Sequence, residues 1–198
     1  MYTLIFVTVC ISFAVSLALA IILRRNFLIA AGLFFTIIAD IFLVLTLSYF
    51  EIGLLFFIIV QLMYAANIYI TRHGLRLTVG LAVETAIRII LSIITVIIAV
   101  QVLLFDWEIV LASIYAVNFV INLVMVFSLF RQKYLLAIGM LLFAFCDIFV
   151  GLLNLPYFTN AVINRDLIFA LMAMCYIPSQ IIIAVSTVHK KSLAQKEE

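Results

Sequence analysis

Apolar residues run through this chain in blocks of about twenty, and short polar clusters interrupt them. The clusters read "RRN", "SYFE", "TRHGLR", "DWE", "RQK" and "NLPYFTNAVINRD". A helix needs about 20 apolar residues to cross the hydrocarbon core of a bilayer. The pattern therefore predicts seven spans, at roughly 2–23, 27–48, 52–71, 80–105, 109–130, 134–154 and 167–188, followed by a short solvated tail, 189–198. The first block has no basic n-region, and Arg24 and Arg25 follow it where a cleavage site would stand, so it reads as a retained helix. The expected fold is an all-α integral membrane protein, one transmembrane domain over 1–198.

Composition agrees with the pattern. Hydrophobic residues make up 69% of the 198 positions and charged residues only 10%, against about 45–50% and about 25% in soluble domains. The net charge of +2 gives no reason to expect nucleic acid. Cys10, Cys146 and Cys175 lie in apolar runs without ligand spacing, which reads as packing. No metal or cofactor is called for.

Charge fixes the expected orientation. Numbering the connections alternately puts Arg24, Arg25, Arg72, Arg76, Arg131, Lys133, Lys190, Lys191 and Lys196 on one side, and Arg165 alone on the other. Basic residues in short loops stay cytoplasmic. The N-terminus is expected outside and the C-terminus in the cytoplasm, in a multi-pass protein of the plasma membrane.

The second and sixth spans repeat one another. "RRNFLIAAGLFFTIIADIFLVL" (24–45) aligns with "RQKYLLAIGMLLFAFCDIFVGL" (131–152) at a constant offset of 107. Arg24 meets Arg131, Gly32 meets Gly139, and Asp-Ile-Phe at 40–42 meets Asp-Ile-Phe at 147–149. Both copies would run in the same direction. The expected arrangement is two parallel three-helix repeats, about 2–71 and 109–188, joined by a linker helix at about 80–105.

Asp40 and Asp147 are the candidate chemistry. Each lies about 13 residues into its span, or about 20 Å at 1.5 Å per residue. A charge facing lipid costs several kcal/mol, so both are expected to face inward at one central cavity. Two carboxylates close together in a poorly hydrated site do not both ionise easily, which gives a protonated acid beside a carboxylate base. Gln61, Tyr64 and Asn67 share a face of the third span. Tyr115, Asn118 and Asn122 recur at helical spacing on the fifth, and Tyr176 and Gln180 straddle Pro178 on the seventh. Asn154 follows Asp147 by seven residues. Each of these groups needs a hydrogen-bond partner, and together they are expected to outline a polar chamber. Glu84 and Arg88, at i and i+4, read as an ion pair at the membrane interface.

Several blocks resemble the YhhN-like family, which includes the lysoplasmalogenases. "GLFFTIIADIFLVL" with "FEIGLLFFIIVQLMY" looks like its first aspartate block and the following G-x-x-x-F-x-x-x-H-x-x-Y block. "IYAVNFVINLV" resembles its Tyr-Ala helix, "IGMLLFAFCDIFVGL" its second aspartate block, and "YIPSQIIIAVS" its final segment. The blocks fall in order from about residue 28 to 186. Ala39 and Cys146 replace the Gly and Ser that precede the family's aspartates, Gln61 stands where the family has His, and the family's eighth span and Lys-Pro motif are missing. The resemblance implies hydrolysis of the vinyl-ether bond of a membrane lysolipid. Asp40 and Asp147 would be catalytic, and Gln61, Tyr64, Tyr115, Asn118, Asn122, Tyr176 and Gln180 would contact substrate. The rival expectation is a small-solute transporter of 3+1+3 helices with a proton- or cation-binding aspartate pair.

Overall fold

The computed structural model describes residues 11, 14–15, 18–19, 21–22, 26–46, 49–74, 78–103, 105–154 and 165–186. Its elements are α1 (Phe27–Asp40), a π-helical turn (Ile41–Thr46), α2 (Phe50–His73), α3 (Val79–Leu103), α4 (Trp107–Ser128), α5 (Phe130–Asn154) and α6 (Arg165–Val185). The described residues are all helix and short connection, with no strand. Most of the expected first span, 2–23, lies outside them, as does the tail.

Among the described residues, five helical stretches are long and apolar enough to cross a membrane: α2, α3, α4, Phe130–Leu152 and Asp166–Val185. The apolar helical stretch of the expected second span is shorter, Phe27–Leu43. This architecture is consistent with an integral membrane protein. Backbone polar groups are satisfied within each helix, which is what a solvent without hydrogen-bonding capacity requires.

The chain divides into two compact units, Asn26–Ser128 and a second that joins Met1–Arg25 to Leu129–Glu198. In the first, α2 packs between α1 and α4, and α4 packs in turn on α3. Gly32 and Gly53 allow the close approach of α1 and the π-helical turn to α2. A Cβ on Gly32 would stand 2.6 Å from Tyr64 Cε1, and one on Gly53 would stand 2.5 Å from Leu43 Cγ and 3.2 Å from the Ala39 carbonyl oxygen. Phe35 and Phe42 both stack on Phe56, at 5.9 and 6.0 Å between centroids. The connection to α3 is closed by Tyr69, whose hydroxyl lies 2.9 Å from Thr78 Oγ1 and accepts the Thr78 N–H.

In the second unit, α5 packs on α6. Lys133 departs from helical geometry, so the regular part of α5 begins at Tyr134, the residue that matches Phe27 at the head of α1. Gly139 is the crossing point: its Cβ would meet Ile183 Cγ1 at 2.7 Å and the Ser179 carbonyl oxygen at 3.2 Å. Helix α3 is apolar on nearly every side and mostly exposed, a pattern that needs hydrocarbon as its solvent.

Candidate functional site

The repeat first seen as letters is also a repeat of burial. Ile29, Gly32, Leu33, Thr36 and Ala39 are buried in α1; Leu136, Gly139, Met140, Phe143 and Cys146, each 107 further on, are buried in α5. Phe34 and Leu141 are exposed in the same register. Asp40 and Asp147 are both half-buried, each following a buried small residue, Ala39 or Cys146. Asp40 closes α1, and the π-helical turn begins at the next residue. Asp147 lies within continuous α-helix. A π turn re-aims side chains and occurs frequently at functional positions.

The partner helices repeat as well, in a register that identity alone conceals. Gly32 meets Tyr64 and Gly139 meets Ile183, so the offset of 107 becomes 119 across a longer connection. At 119, Val60, Gln61, Tyr64 and Asn67 of α2 match Ser179, Gln180 and Ile183 of α6 and Ser186 just past its end, and all eight are buried. Each unit thus holds an aspartate on one helix and a buried glutamine on the helix packed against it.

In the first unit the predicted polar residues do come together, around a cation that the sequence pattern had assigned to the membrane interface. Arg88 is only 7% exposed and is the one buried residue of α3. It keeps its ion pair, with Nη2 and Nε donating to Glu84 Oε1 at 2.8 and 3.2 Å. It also donates from Nη2 to Asn122 Oδ1 at 2.8 Å and from Nη1 to Asn118 Oδ1 at 3.3 Å. The expected ion pair is present, and the snorkelling expected of it is corrected, since Arg88 is buried. Helix α3 has one packed face, against α4, and Arg88 falls on it opposite two amide oxygens. Asn122 Nδ2 continues inward to Gln61 Oε1 at 2.9 Å and to the Gln61 carbonyl oxygen at 2.7 Å. Asn118 Nδ2 returns to the Ile114 carbonyl oxygen at 2.9 Å. Four residues from three helices therefore form one hydrogen-bonded chain, Glu84–Arg88–Asn122–Gln61.

The two tyrosines of this unit have different surroundings. Tyr64 is buried against Gly32 and hydrogen-bonded to the Thr36 hydroxyl. That hydroxyl donates to the Gly32 carbonyl oxygen at 3.0 Å, so Tyr64 joins α2 to α1. Tyr115 is half-buried between the rings of Phe57 and Phe119, at 5.6 and 5.9 Å. Asn67 Nδ2 donates to Asn26 Oδ1 at 2.9 Å.

In the second unit Gln180 is 1% exposed, and neither its amide oxygen nor its nitrogen has a partner among the described residues. Next to it, Ser179 Oγ donates to the Tyr176 carbonyl oxygen at 2.6 Å, within the turn that Pro178 interrupts. The Tyr176 ring lies 6.0 Å from Phe143, the α5 counterpart of Thr36. The side chain of Asn154 lies outside the described residues. Arg88 is the residue that pattern reading missed. The available signal was that Glu84–Arg88 and Asn118–Asn122 are both i, i+4 pairs on consecutive helices, a spacing that lets the two pairs face each other.

Comparison of the chain with protein-family models, with curated proteins and with solved structures finds no match.

Proposed function

We propose that this protein is an intramembrane hydrolase that cleaves the vinyl-ether bond of lysoplasmalogens, with Asp40 and Asp147 as its acid and its carboxylate. The observation that carries the reading is the matched register of the two aspartates: same helix position, same partial burial, same buried small residue before each. A carboxylate in a membrane helix is expensive to keep and marks function by default. Two kept at one register of a duplicated helix make a stronger case than either alone. The order of blocks resembling the lysoplasmalogenases supplies the substrate class.

The chemistry asks for no more than these groups. Protonation of the enol-ether carbon by a carboxylic acid leaves an oxocarbenium ion. Water adds to it and gives up a proton to the carboxylate. The resulting hemiacetal collapses to a fatty aldehyde and a glycerophospho-alcohol. This is close to the two-carboxylate logic of glycoside hydrolysis. Tyr115, Tyr176 and Gln180 orient head group or water, and the hydrocarbon tail lies among Phe and Leu side chains. The proposal includes seven spans with the N-terminus outside. In a cysteine-free background, Gly74→Cys and Asp106→Cys should label from opposite faces of intact cells, the first only from inside.

A second reading, a small-solute carrier, is favoured by the duplicated helix pairs, since carriers are commonly built from repeats. One assay separates the two. Purified protein in detergent, without any gradient, should release aldehyde from lysoplasmalogen. No aldehyde in detergent, together with solute uptake only in sealed vesicles, would replace the hydrolase by the carrier.

A further inference from the structure

The six residues from Asp40 read "DIFLVL", and the six from Asp147 read "DIFVGL". Four of the six are identical. The first stretch nevertheless leaves the α-helix for the π turn at Ile41–Thr46, while the second stays α-helical to Asn154. Local preference does not explain the difference, because it runs the wrong way. Glycine is a far poorer α-helix former than valine. Yet the copy that contains Gly151 stays α, and the copy with Val44 in its place does not. A π turn is rare, and this one is held from outside its own sequence.

What holds it stands on the partner helix. A Cβ on Gly53 would lie 2.5 Å from Leu43 Cγ and 3.2 Å from the Ala39 carbonyl oxygen. The turn therefore occupies space that any other residue at 53 would fill. Three residues on, Phe56 stacks on Phe42 at 6.0 Å, with the rings 8° from parallel. At the 119-residue offset the second unit has Met172 in place of Gly53 and Cys175 in place of Phe56. It offers a full side chain where the first unit leaves a gap, and no ring where the first unit has one. Each copy of the motif takes the form its partner helix admits. The junction itself is loose: the Ile41 N–H is shared between the carbonyl oxygens of Ile37 and Ile38.

We propose that Ile41–Thr46 is a two-state turn, passing between the π form that Gly53 and Phe56 hold and the α form of its twin. Both forms satisfy the backbone within the chain, as hydrocarbon demands, and the near-identical sequence supports either. A π turn bonds i to i+5 where an α turn bonds i to i+4. The change of form therefore turns the chain beyond it by one residue, about 100° at 3.6 residues per turn. The moving stretch starts at the residue after Asp40 and ends before α2. It re-aims the backbone beside the carboxylate and leaves the crossing at Gly32 in place. The α form is the minor one, at about 1–10% of the population, the range expected for forms a few kcal/mol apart. The switch does not rest on the hydrolase reading, because it is set by backbone geometry and by Gly53 whatever Asp40 does.

The test uses the full chain in lipid nanodiscs, with relaxation dispersion measured on the backbone amides of 41–45 and of 148–152. This observable reports exchange in the μs–ms range. The first set should show exchange and the second should be flat. Gly53→Ala closes the gap and should move the turn to the α form, seen as i to i+4 bonding from 37 to 46 in the crystal structure of the variant. The minor-state shifts of wild type should coincide with the shifts of Gly53→Ala, and the variant should lose the dispersion. Should Gly53→Ala fail to fold, deletion of Val44 takes its place. It removes the extra residue of the wide turn with Gly53 intact, and should give the same α-form shifts. Flat profiles at 41–45 overturn the proposal, as does equal exchange at 148–152. So does a π turn retained in Gly53→Ala, or a minor state whose shifts differ from those of the α-form variant.

Discussion

Helix pair α1–α2 and helix pair α5–α6 bury many of the same positions and cross at the same glycine, Gly32 in one and Gly139 in the other. They part company in their polar groups. In the first pair, Gln61 is tied through Asn122 to a buried ion pair, and the helix bearing Asp40 ends in a π turn. In the second, Gln180 has no partner for either amide atom among the described residues, and α5 continues unbroken past Asp147. The crossing is shared by the two copies, while their polar partners differ. Packing constrains volume at every crossing, whereas a polar group is constrained only by the few atoms it must meet.

The aspartates give the largest expected effect and test whether the two copies are functionally matched. Asp40→Asn and Asp147→Asn should each lower aldehyde release by about 10²–10⁴-fold with the fold retained. On the proposed acid–carboxylate mechanism, the double variant should be little worse than either single one. Near wild-type turnover in one variant and none in the other would break the equivalence and assign chemistry to a single repeat.

Exchange of the buried ion pair comes next. Glu84→Arg with Arg88→Glu would be harmless for a pair at the interface. With Arg88 placed against Asn118 and Asn122, the exchange sets a carboxylate against amide and carbonyl oxygens. Losing a partner of a buried charge costs about 3–5 kcal/mol, so a clear fall in thermal stability is expected in detergent. An unchanged unfolding temperature would return the pair to the interface.

The crossing glycines distinguish the two pairs more finely. Alanine at either position overpacks the crossing, typically at about 1–3 kcal/mol. Gly139→Ala should cost more than Gly32→Ala, since its Cβ meets backbone atoms, Ile183 N at 3.0 Å and the Ser179 carbonyl oxygen at 3.2 Å, as well as a side chain. At Gly32 only the Tyr64 ring stands in the way. The reverse order in thermal unfolding would mean that the Tyr64 ring is the less yielding neighbour. The smallest effect is a gain. Gly151 lies within α5, where an added methyl would have nothing within 4 Å, and its counterpart in the first copy is Val44. Gly151→Ala should stabilise by about 0.5–1 kcal/mol through helix propensity.

The sequence by itself determined the membrane class, most helix positions and the 107-residue repeat with its two aspartates. These follow from block length, from apolar periodicity and from Arg, Gly and Asp recurring at one spacing, all of which are local. It also singled out Gln61, Asn118 and Asn122 as inward-facing, since an amide among apolar neighbours has nowhere else to be satisfied. Only the tertiary structure decided that Asn118 and Asn122 meet Arg88 and that Asn122 links it to Gln61. An i, i+4 pair with Glu84 satisfies an arginine equally well at an interface or in a core, and the choice depends on which face of α3 touches α4. The 119-residue register of α2 and α6 was likewise hidden. Beyond Gln61 and Gln180 its matched buried residues are not identical, so what makes them equivalent is their shared place against a crossing glycine, a relation that exists only once the helices pack.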